Sequence, residues 1–255
     1  MKKLSFNNHS LEINSLNIFQ PIKNFILDTL FPISCLSCGR DNFWLCADCL
    51  KNIELLSFQV CPKCEDEITD SGRVCRDCRP QNLDALLVAS KYKENNISKL
   101  VHLYKYRFVE DLHVPLGKIL VKTLLKSQLP LPDILLPVPL HPRRLRWRGF
   151  NQSQLLANYI SKNLTPGLEV PVAENLLQRK KYTPPQMKIK KYSQRLHNLR
   201  EAFVATKPEE IKNKTILLVD DIATTGATLF ECAKVLKQNG AKKVFAVVIA
   251  RQEII

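Results

Sequence analysis

The stretch Thr215-Ile216-Leu217-Leu218-Val219-Asp220-Asp221-Ile222-Ala223-Thr224-Thr225-Gly226-Ala227-Thr228 sets an apolar run, two adjacent carboxylates and a threonine-glycine loop in direct succession. The run reads as a buried strand that delivers Asp220 and Asp221 at its carboxyl end, where ligands bind in parallel α/β sheets. The loop then enters a helix expected over Thr228–Gln238 and stopped by Asn239-Gly240. Free amides at a helix start, with the positive end of its dipole, attract anions. Gly226 lets a phosphate approach the backbone, and Thr224, Thr225 and Thr228 add hydroxyl donors without adding charge. The two carboxylates suit vicinal sugar hydroxyls, directly or through a hard divalent cation. Asp220, Asp221 and the segment Ala223, Thr224, Thr225, Gly226, Ala227, Thr228 together describe a cradle for a ribose 5-phosphate. A Walker B strand looks similar, but it requires a G-x-x-x-x-G-K-[ST] loop elsewhere and the sequence has none.

On both sides of this stretch, apolar runs alternate with helical periodicities. Ala85–Ala89, Ile134–Val138 and Val244–Ile249 read as strands. Ile97–Phe108, Leu112–Leu125 and Gln152–Ile160 read as helices, with Asn151 as a sufficient N-cap for the last. Strands alternating with helices imply a parallel sheet covered on both faces. Leu16, Ile18, Phe19, Ile22, Phe25, Ile26 and Leu30 have roughly helical spacing and suggest a short docking helix behind a polar tail. The expected organisation is therefore a tail and short helix at 1–32, a cysteine-rich module at 33–80 and an α/β domain at 81–255.

Eight of the nine cysteines fall into four Cys-x-x-Cys pairs: Cys35/Cys38, Cys46/Cys49, Cys61/Cys64 and Cys75/Cys78. A two-residue spacer lets both thiolates of one tight turn reach the same metal at about 2.3 Å. Two closed Cys₄ zinc sites would use all eight sulfurs, paired sequentially or cross-braced. Such sites leave no open coordination position, so the metal is structural and replaces a core that so short a module cannot build. A disulfide framework also fits an even count, but the chain shows no secretion signal. Cys232 shares a helix face with Leu229, Ala233 and Leu236 and reads as core.

The chain has 255 residues, is 45% hydrophobic and carries a formal net charge of +14. That composition excludes a disordered chain and favours anionic partners. No run reaches the roughly 18–20 apolar residues of a spanning helix. The expected location is cytoplasmic, with reduced thiols. Much of the excess charge lies between residues 141 and 200, where thirteen Arg or Lys face two acids, Glu169 and Glu174.

The Asp-Asp-x-x-Thr-Thr-Gly-x-Thr loop resembles the PRPP-binding signature of type I phosphoribosyltransferases. The resemblance implies their Rossmann-like fold, with Asp220 and Asp221 holding the ribose and Mg²⁺-PRPP, and Thr224–Thr228 holding the 5′-phosphate. Pro137-Val138-Pro139-Leu140-His141-Pro142-Arg143-Arg144-Leu145-Arg146, Arg148-Gly149-Phe150-Asn151-Gln152, Thr183-Pro184-Pro185-Gln186 and Arg195-Leu196-His197-Asn198-Leu199-Arg200 are similar to segments of the ComF family of bacterial competence proteins. That family also carries a cysteine-rich zinc-binding segment before its transferase-like domain. The resemblance spans about residues 25–252. It implies a pyrophosphate loop around Pro139, His141, Arg143 and Arg144, and a mobile loop over residues 179–195.

Two uses of the basic segment compete. Its arginines neutralise the pyrophosphate of PRPP, or Arg146, Arg148, Asn151, Gln152, Gln186 and Arg195 contact single-stranded DNA, with Trp147, Phe150 or Tyr182 as stacking faces. His141 is the nearest candidate for an acid–base group. The resemblance implies a role in DNA uptake alongside other proteins of the uptake machinery. Transfer from PRPP with release of pyrophosphate, a nucleic-acid adaptor that keeps the fold without catalysis, and a zinc-mediated docking module are the three functional expectations.

Overall fold

The computed structural model describes residues 33–93, 95–182 and 201–252, and the chain divides into two compact units, Met1–Cys46 and Ala47–Ile255. The helix expected within residues 16–31, and the segments around Gln186 and Arg195, lie outside the described residues. In the first unit the chain doubles back at Gly39, whose φ of 76° is open to glycine. Cys35 donates to the Arg40 carbonyl (2.8 Å), Gly39 to Cys35 (2.9 Å) and Asn42 to Ile33 (2.7 Å), making a tight knuckle.

The second unit begins with α1 (Ala47–Lys51) and the antiparallel pair β1 (Gln59–Val60) and β2 (Ile68–Thr69). Next come β3 (Ala85–Lys91), α2 (Asn95–Tyr106), α3 (His113–Lys126), β4 (Ile134–Pro137), α4 (Pro142–Arg148) and α5 (Gln152–Asn163). After these follow β5 (Leu177–Arg179), β6 (Phe203–Ala205), α6 (Pro208–Ile211), β7 (Thr215–Val219), β8 (Ile222–Ala223), α7 (Ala227–Gln238) and β9 (Lys243–Arg251). The central sheet runs β3-β9-β7-β4 with every pair parallel, and β8 continues alongside β9. This is the parallel α/β arrangement expected from the alternating pattern.

Strand alternation divides the core between the two faces. Leu86, Val88, Leu136, Ile216, Leu218, Val244 and Ala246 pack with Leu229, Cys232 and Leu236 of α7 and with Phe203 of β6. Helices α3 and α5 pack against each other and onto the sheet, α3 on β3 and β9, α5 on β4 and β7.

Three local features differ from the sequence pattern. The helix expected to Phe108 ends at Tyr106, because Phe108 adopts φ 57°. The arginine-rich stretch after β4 is a helix, α4, rather than a loop. Pro142 occupies its first turn, and His141 caps it by accepting the Arg143 amide at Nδ1 (3.2 Å). No residue of α4 is buried, so it has no apolar stripe to announce it. Finally, β5 and β6 form an antiparallel ribbon outside the main sheet.

Both edges of the central sheet are clothed. Along β3, the Leu56 amide donates to the Ala89 carbonyl (2.9 Å). The Gln59 amide side chain both donates to and accepts from the Val88 backbone (2.9 Å each). The Val74 amide reaches the Asp84 carbonyl just ahead of the strand (3.1 Å). On the far side, the Leu135 amide donates to Pro171 and its carbonyl accepts from Ala173, both at 2.9 Å. The segment bearing Cys61–Cys78 is therefore built onto the sheet edge.

Gly72 marks the tightest point of that junction. Its φ is +67°, and a Cβ there would sit 2.1 Å from the Leu86 carbonyl oxygen. Gly72→Ala is expected to cost about 2–4 kcal/mol, combining left-handed strain with a backbone clash. Calorimetry should show a melting temperature lower by roughly 5–15 °C. An unchanged transition would mean that the junction does not close in solution as described.

Candidate functional site

Strand β7 is buried along most of its length and ends at Asp220 and Asp221, so two adjacent carboxylates emerge from the core together. The Asp220 amide still bonds the Val247 carbonyl and the Asp221 carbonyl accepts from Ile249, which fixes both residues against β9. Asp220 Oδ1 accepts from Ser153 Oγ (2.8 Å) and from the Asp221 amide (2.9 Å). Asp221 Oδ1 accepts from the Ile222 amide (2.7 Å) and pairs with Lys105 Nζ (3.0 Å). Burial, followed by repulsion from Asp221, pushes the Asp220 carboxyl up to about 7, although Lys105 and Ser153 pull it down. Burial alone would lower the Lys105 ammonium, but Asp221 and then Asp220 outweigh it and hold it above its ordinary value.

The loop beyond the carboxylates turns through Gly226, the left-handed N-cap of α7 (φ 71°), which has no side chain to occupy the first-turn amides. Thr225 is buried and its Oγ1 accepts the Ala227 amide (3.2 Å). The Gly226 carbonyl starts the helix by accepting from Phe230 (3.0 Å).

One cleft is lined by Asp220, Asp221, Thr224 and Thr228 together with Lys105, Arg144, Arg148, Arg179, Ser153, Gln152 and Pro139. Four cations thus face two carboxylates and a helix start. Arg148 donates through one terminal nitrogen to Gln152 Oε1 (3.0 Å), and its buried Nε has no partner among the described residues. Gln152 is itself buried and locked to α2: its carbonyl accepts the Tyr104 hydroxyl (2.8 Å) and its amide donates to the Tyr104 carbonyl (3.4 Å). Burial and then Arg144 lower the Arg179 guanidinium, and burial and then Arg148 lower that of Arg144. An anion in the cleft would relieve that crowding.

The remaining expected residues are placed elsewhere. Asn151 caps α5 through its Oδ1 and donates to the Val138 carbonyl. His141 is the cap of α4. Desolvation and then Arg143 lower its pKa, and its ring meets that of Tyr182 edge-on at 5.2 Å. Arg143 lies 5.5 Å above the same Tyr182 ring and, like Arg146, is exposed. The exposed Trp147 packs edge-on against Phe108. Lys105, Arg179 and Ser153 carried no signal in sequence. Lys105 sits among aromatic and basic residues of a helix, Arg179 in a short polar strand, and Ser153 reads as an ordinary first-turn residue.

The cysteine sulfurs gather in sequence order. Those of Cys35, Cys38 and Cys46 lie within 4.8 Å of one another in the first unit, and those of Cys61, Cys64, Cys75 and Cys78 form a quartet of the same spacing in the second. The Cys38–Cys46 and Cys64–Cys75 sulfur separations are 3.7 and 3.9 Å. A tetrahedron with zinc–sulfur bonds of about 2.3 Å has edges of roughly 3.8 Å, whereas a disulfide needs about 2.05 Å. Equivalent amide-to-sulfur bonds at 3.4 Å, from Cys46 to Cys35 and from Cys75 to Cys61, support thiolates in both groups. Burial opposes ionisation of Cys35, but the amides of Cys46, Cys38 and Ser37 outweigh it and bring the thiol down to about 6. The thiolate donors fit zinc, and the quartet of the second unit is of the sequential kind.

The phosphoribosyl transferase domain family matches residues 151–254, and the double zinc ribbon domain family matches residues 26–79. Competence protein F of Haemophilus influenzae is 30% identical over 226 residues, covering 84% of this chain and 95% of the relative. DNA utilization protein YhgH of Escherichia coli O157:H7 is 31% identical, covering 72% and 81%. Among solved structures, a glutamine PRPP amidotransferase from B. subtilis is 20% identical with a TM-score of 0.38, covering 58% of this chain and 30% of that one. No helix among the described residues is long and apolar enough to cross a membrane.

Two outcomes test this geometry. Elemental analysis of protein purified without chelator should find two zinc ions per chain, falling to one in Cys64→Ser/Cys78→Ser. Lys105→Met should leave the carboxylate pair uncompensated, driving Asp220 further up and costing roughly 1–3 kcal/mol at pH 8. A carboxyl with a raised folded pKa loses stability as pH climbs from its unfolded to its folded pKa; parent and variant share that loss up to about 7, so the variant's extra deficit accrues above it and should shrink at pH 5. Equal deficits at both pH values would separate Lys105 from the charge balance.

Proposed function

Because the chain belongs to the ComF family of bacterial competence proteins, we propose that it binds PRPP or a closely related ribose phosphate in the cleft below β7, and that it serves DNA uptake in that capacity. The observation that carries this reading is the convergence of Asp220, Asp221 and the Thr224–Thr228 loop with Lys105, Arg144, Arg148 and Arg179 in one cleft. The carboxylates accept from the ribose hydroxyls, and the amides at the start of α7 receive the 5′-phosphate. The cations offset the diphosphate, with Arg148 held in place by Gln152. Mg²⁺ arriving with the diphosphate would supply further charge neutralisation. Its fit is to the oxygen donors of Asp220 and Asp221, where it would compete with Lys105 for Asp221. Transfer to an acceptor would release pyrophosphate, with positioning as the chain's main contribution.

A second reading keeps the fold as a single-strand binder. The exposed rings of Trp147 and Tyr182 lie among Arg143, Arg144 and Arg146, a combination suited to base stacking beside a phosphate backbone. The two readings are compatible, since Arg144 touches both surfaces.

Calorimetric titration with Mg²⁺-PRPP should give saturable heat that is lost in Asp220→Asn/Asp221→Asn. Affinity should rise between pH 6 and pH 8, because Asp220, held up to about 7, becomes a stronger, charged acceptor for the ribose hydroxyls as it loses its proton. No heat from folded, zinc-loaded protein would overturn the ribose-phosphate reading. Single-strand binding that weakens steeply with salt, and further in Trp147→Ala/Tyr182→Ala, would then leave the adaptor reading in place.

A further inference from the structure

Arg251, the last residue of β9, takes no part in the site described above, yet it touches the phosphate loop from behind. Its Nε donates to the Thr224 carbonyl (3.4 Å) and a terminal nitrogen reaches the Thr225 carbonyl (3.5 Å). Both terminal nitrogens also donate to the Pro62 carbonyl (3.3 Å each), and one pairs with the Glu65 carboxylate. The side chain is 11% exposed, so its bonds to the Thr224, Thr225 and Pro62 carbonyls are partly shielded from solvent, whereas Glu65 stays open to it. Pro62 and Glu65 belong to the knuckle Cys61-Pro62-Lys63-Cys64-Glu65. Its turn closes through the Glu65 amide on the Cys61 carbonyl (2.9 Å), with Glu65 at φ 67°. One guanidinium therefore bridges the second cysteine quartet and the anion loop.

The direction of those contacts gives them a function. In a trans peptide the carbonyl and the following N–H point in opposite directions. Holding the Thr224 and Thr225 carbonyls toward Arg251 turns the Thr225 and Gly226 amides the other way, out of the Arg251 side of the loop. Gly226 adds no restraint of its own, being the residue with the widest conformational freedom. A planar fork with fixed donor directions can set two successive peptide planes, which an ammonium cannot.

We infer that Arg251 is a positioning residue through which the Cys61/Cys64/Cys75/Cys78 quartet sets the amide directions of the phosphate loop, so that metal occupancy of that quartet governs affinity for the ribose phosphate. The affinity part rests on the ribose-phosphate reading, whereas the mechanical part does not. Cys61, Cys64, Cys75 and Cys78 would fix the knuckle when they hold zinc; the knuckle fixes Pro62 and Glu65, and these hold the guanidinium against the loop. Without that ligation the knuckle would be freer and the loop carbonyls could rotate.

The test compares the zinc-loaded full chain with Arg251→Gln, Arg251→Lys and Cys64→Ser/Cys78→Ser. Hydrogen exchange is read at the Ala227 and Phe230 amides, first-turn groups of α7 whose acceptors, Thr225 and Gly226, lie in the loop. Arg251→Gln should keep its zinc content and the protection of β7, yet exchange at those two amides about tenfold faster and bind Mg²⁺-PRPP about tenfold more weakly, the worth of one charge-assisted hydrogen bond. Arg251→Lys should fall between the two. The cysteine variant should show the same loop signature, and combining it with Arg251→Gln should add nothing further at the loop. Unchanged loop exchange in Arg251→Gln overturns the inference. Should that variant lose metal or fold, Glu65→Gln, which removes only the knuckle-side anchor, decides in its place. Exchange that behaves as expected in a parent that does not bind PRPP overturns the ribose-phosphate reading alone.

Discussion

Two ionisable groups at the end of a buried strand are costly unless their surroundings compensate, and Asp220 and Asp221 impose that demand on everything near them. The response is drawn from distant parts of the chain: Lys105 from α2, Ser153 from α5, and the backbone of β7–β8 itself. The compensation is partial, since Asp220 stays poised near neutrality. A site of this kind is arranged for something still to arrive. The carboxylates, the helix start and four cations together form a surface of mixed charge, which suits a ligand that presents hydroxyls and phosphates at once.

Support for the site extends outward in layers. Gln152 ties α5 to α2 through Tyr104 while it holds Arg148, so one buried amide couples the packing of two helices to the aim of a cation. Arg251 does the corresponding work behind the phosphate loop. The second cysteine quartet is thereby joined to the α/β body through side chains at β9 and through backbone bonds at β3.

The legible parts of the sequence were those written as local pattern. β7 is continuous apolar residues, the quartets are spaced by twos, and the loop combines Asp, Thr and Gly in an order that few other structures require. Asn151 was legible as a cap because capping is decided within three residues. The unreadable parts depend on tertiary neighbours. Lys105 belongs to the site only because α2 ends beside Asp221, which lies more than a hundred residues further along the chain. Helix α4 was hidden because exposed arginines leave no periodic stripe, and its Pro142 and His141 resemble a loop until the cap forms. His141 looked like a reactive group for the same reason that it makes a good cap, a ring nitrogen with a free lone pair.

The clothing of both sheet edges has a consequence for how this protein meets others. A strand that shows bare backbone invites a foreign strand to join it, whether from a partner or from a second copy. Here β3 is occupied by segments around Leu56, Gln59 and Val74, and β4 by residues 171–173. Among the described residues, these contacts cover both edges of the central sheet. Side chains on the outer surfaces are then the part whose composition can change without disturbing the hydrogen-bonded frame.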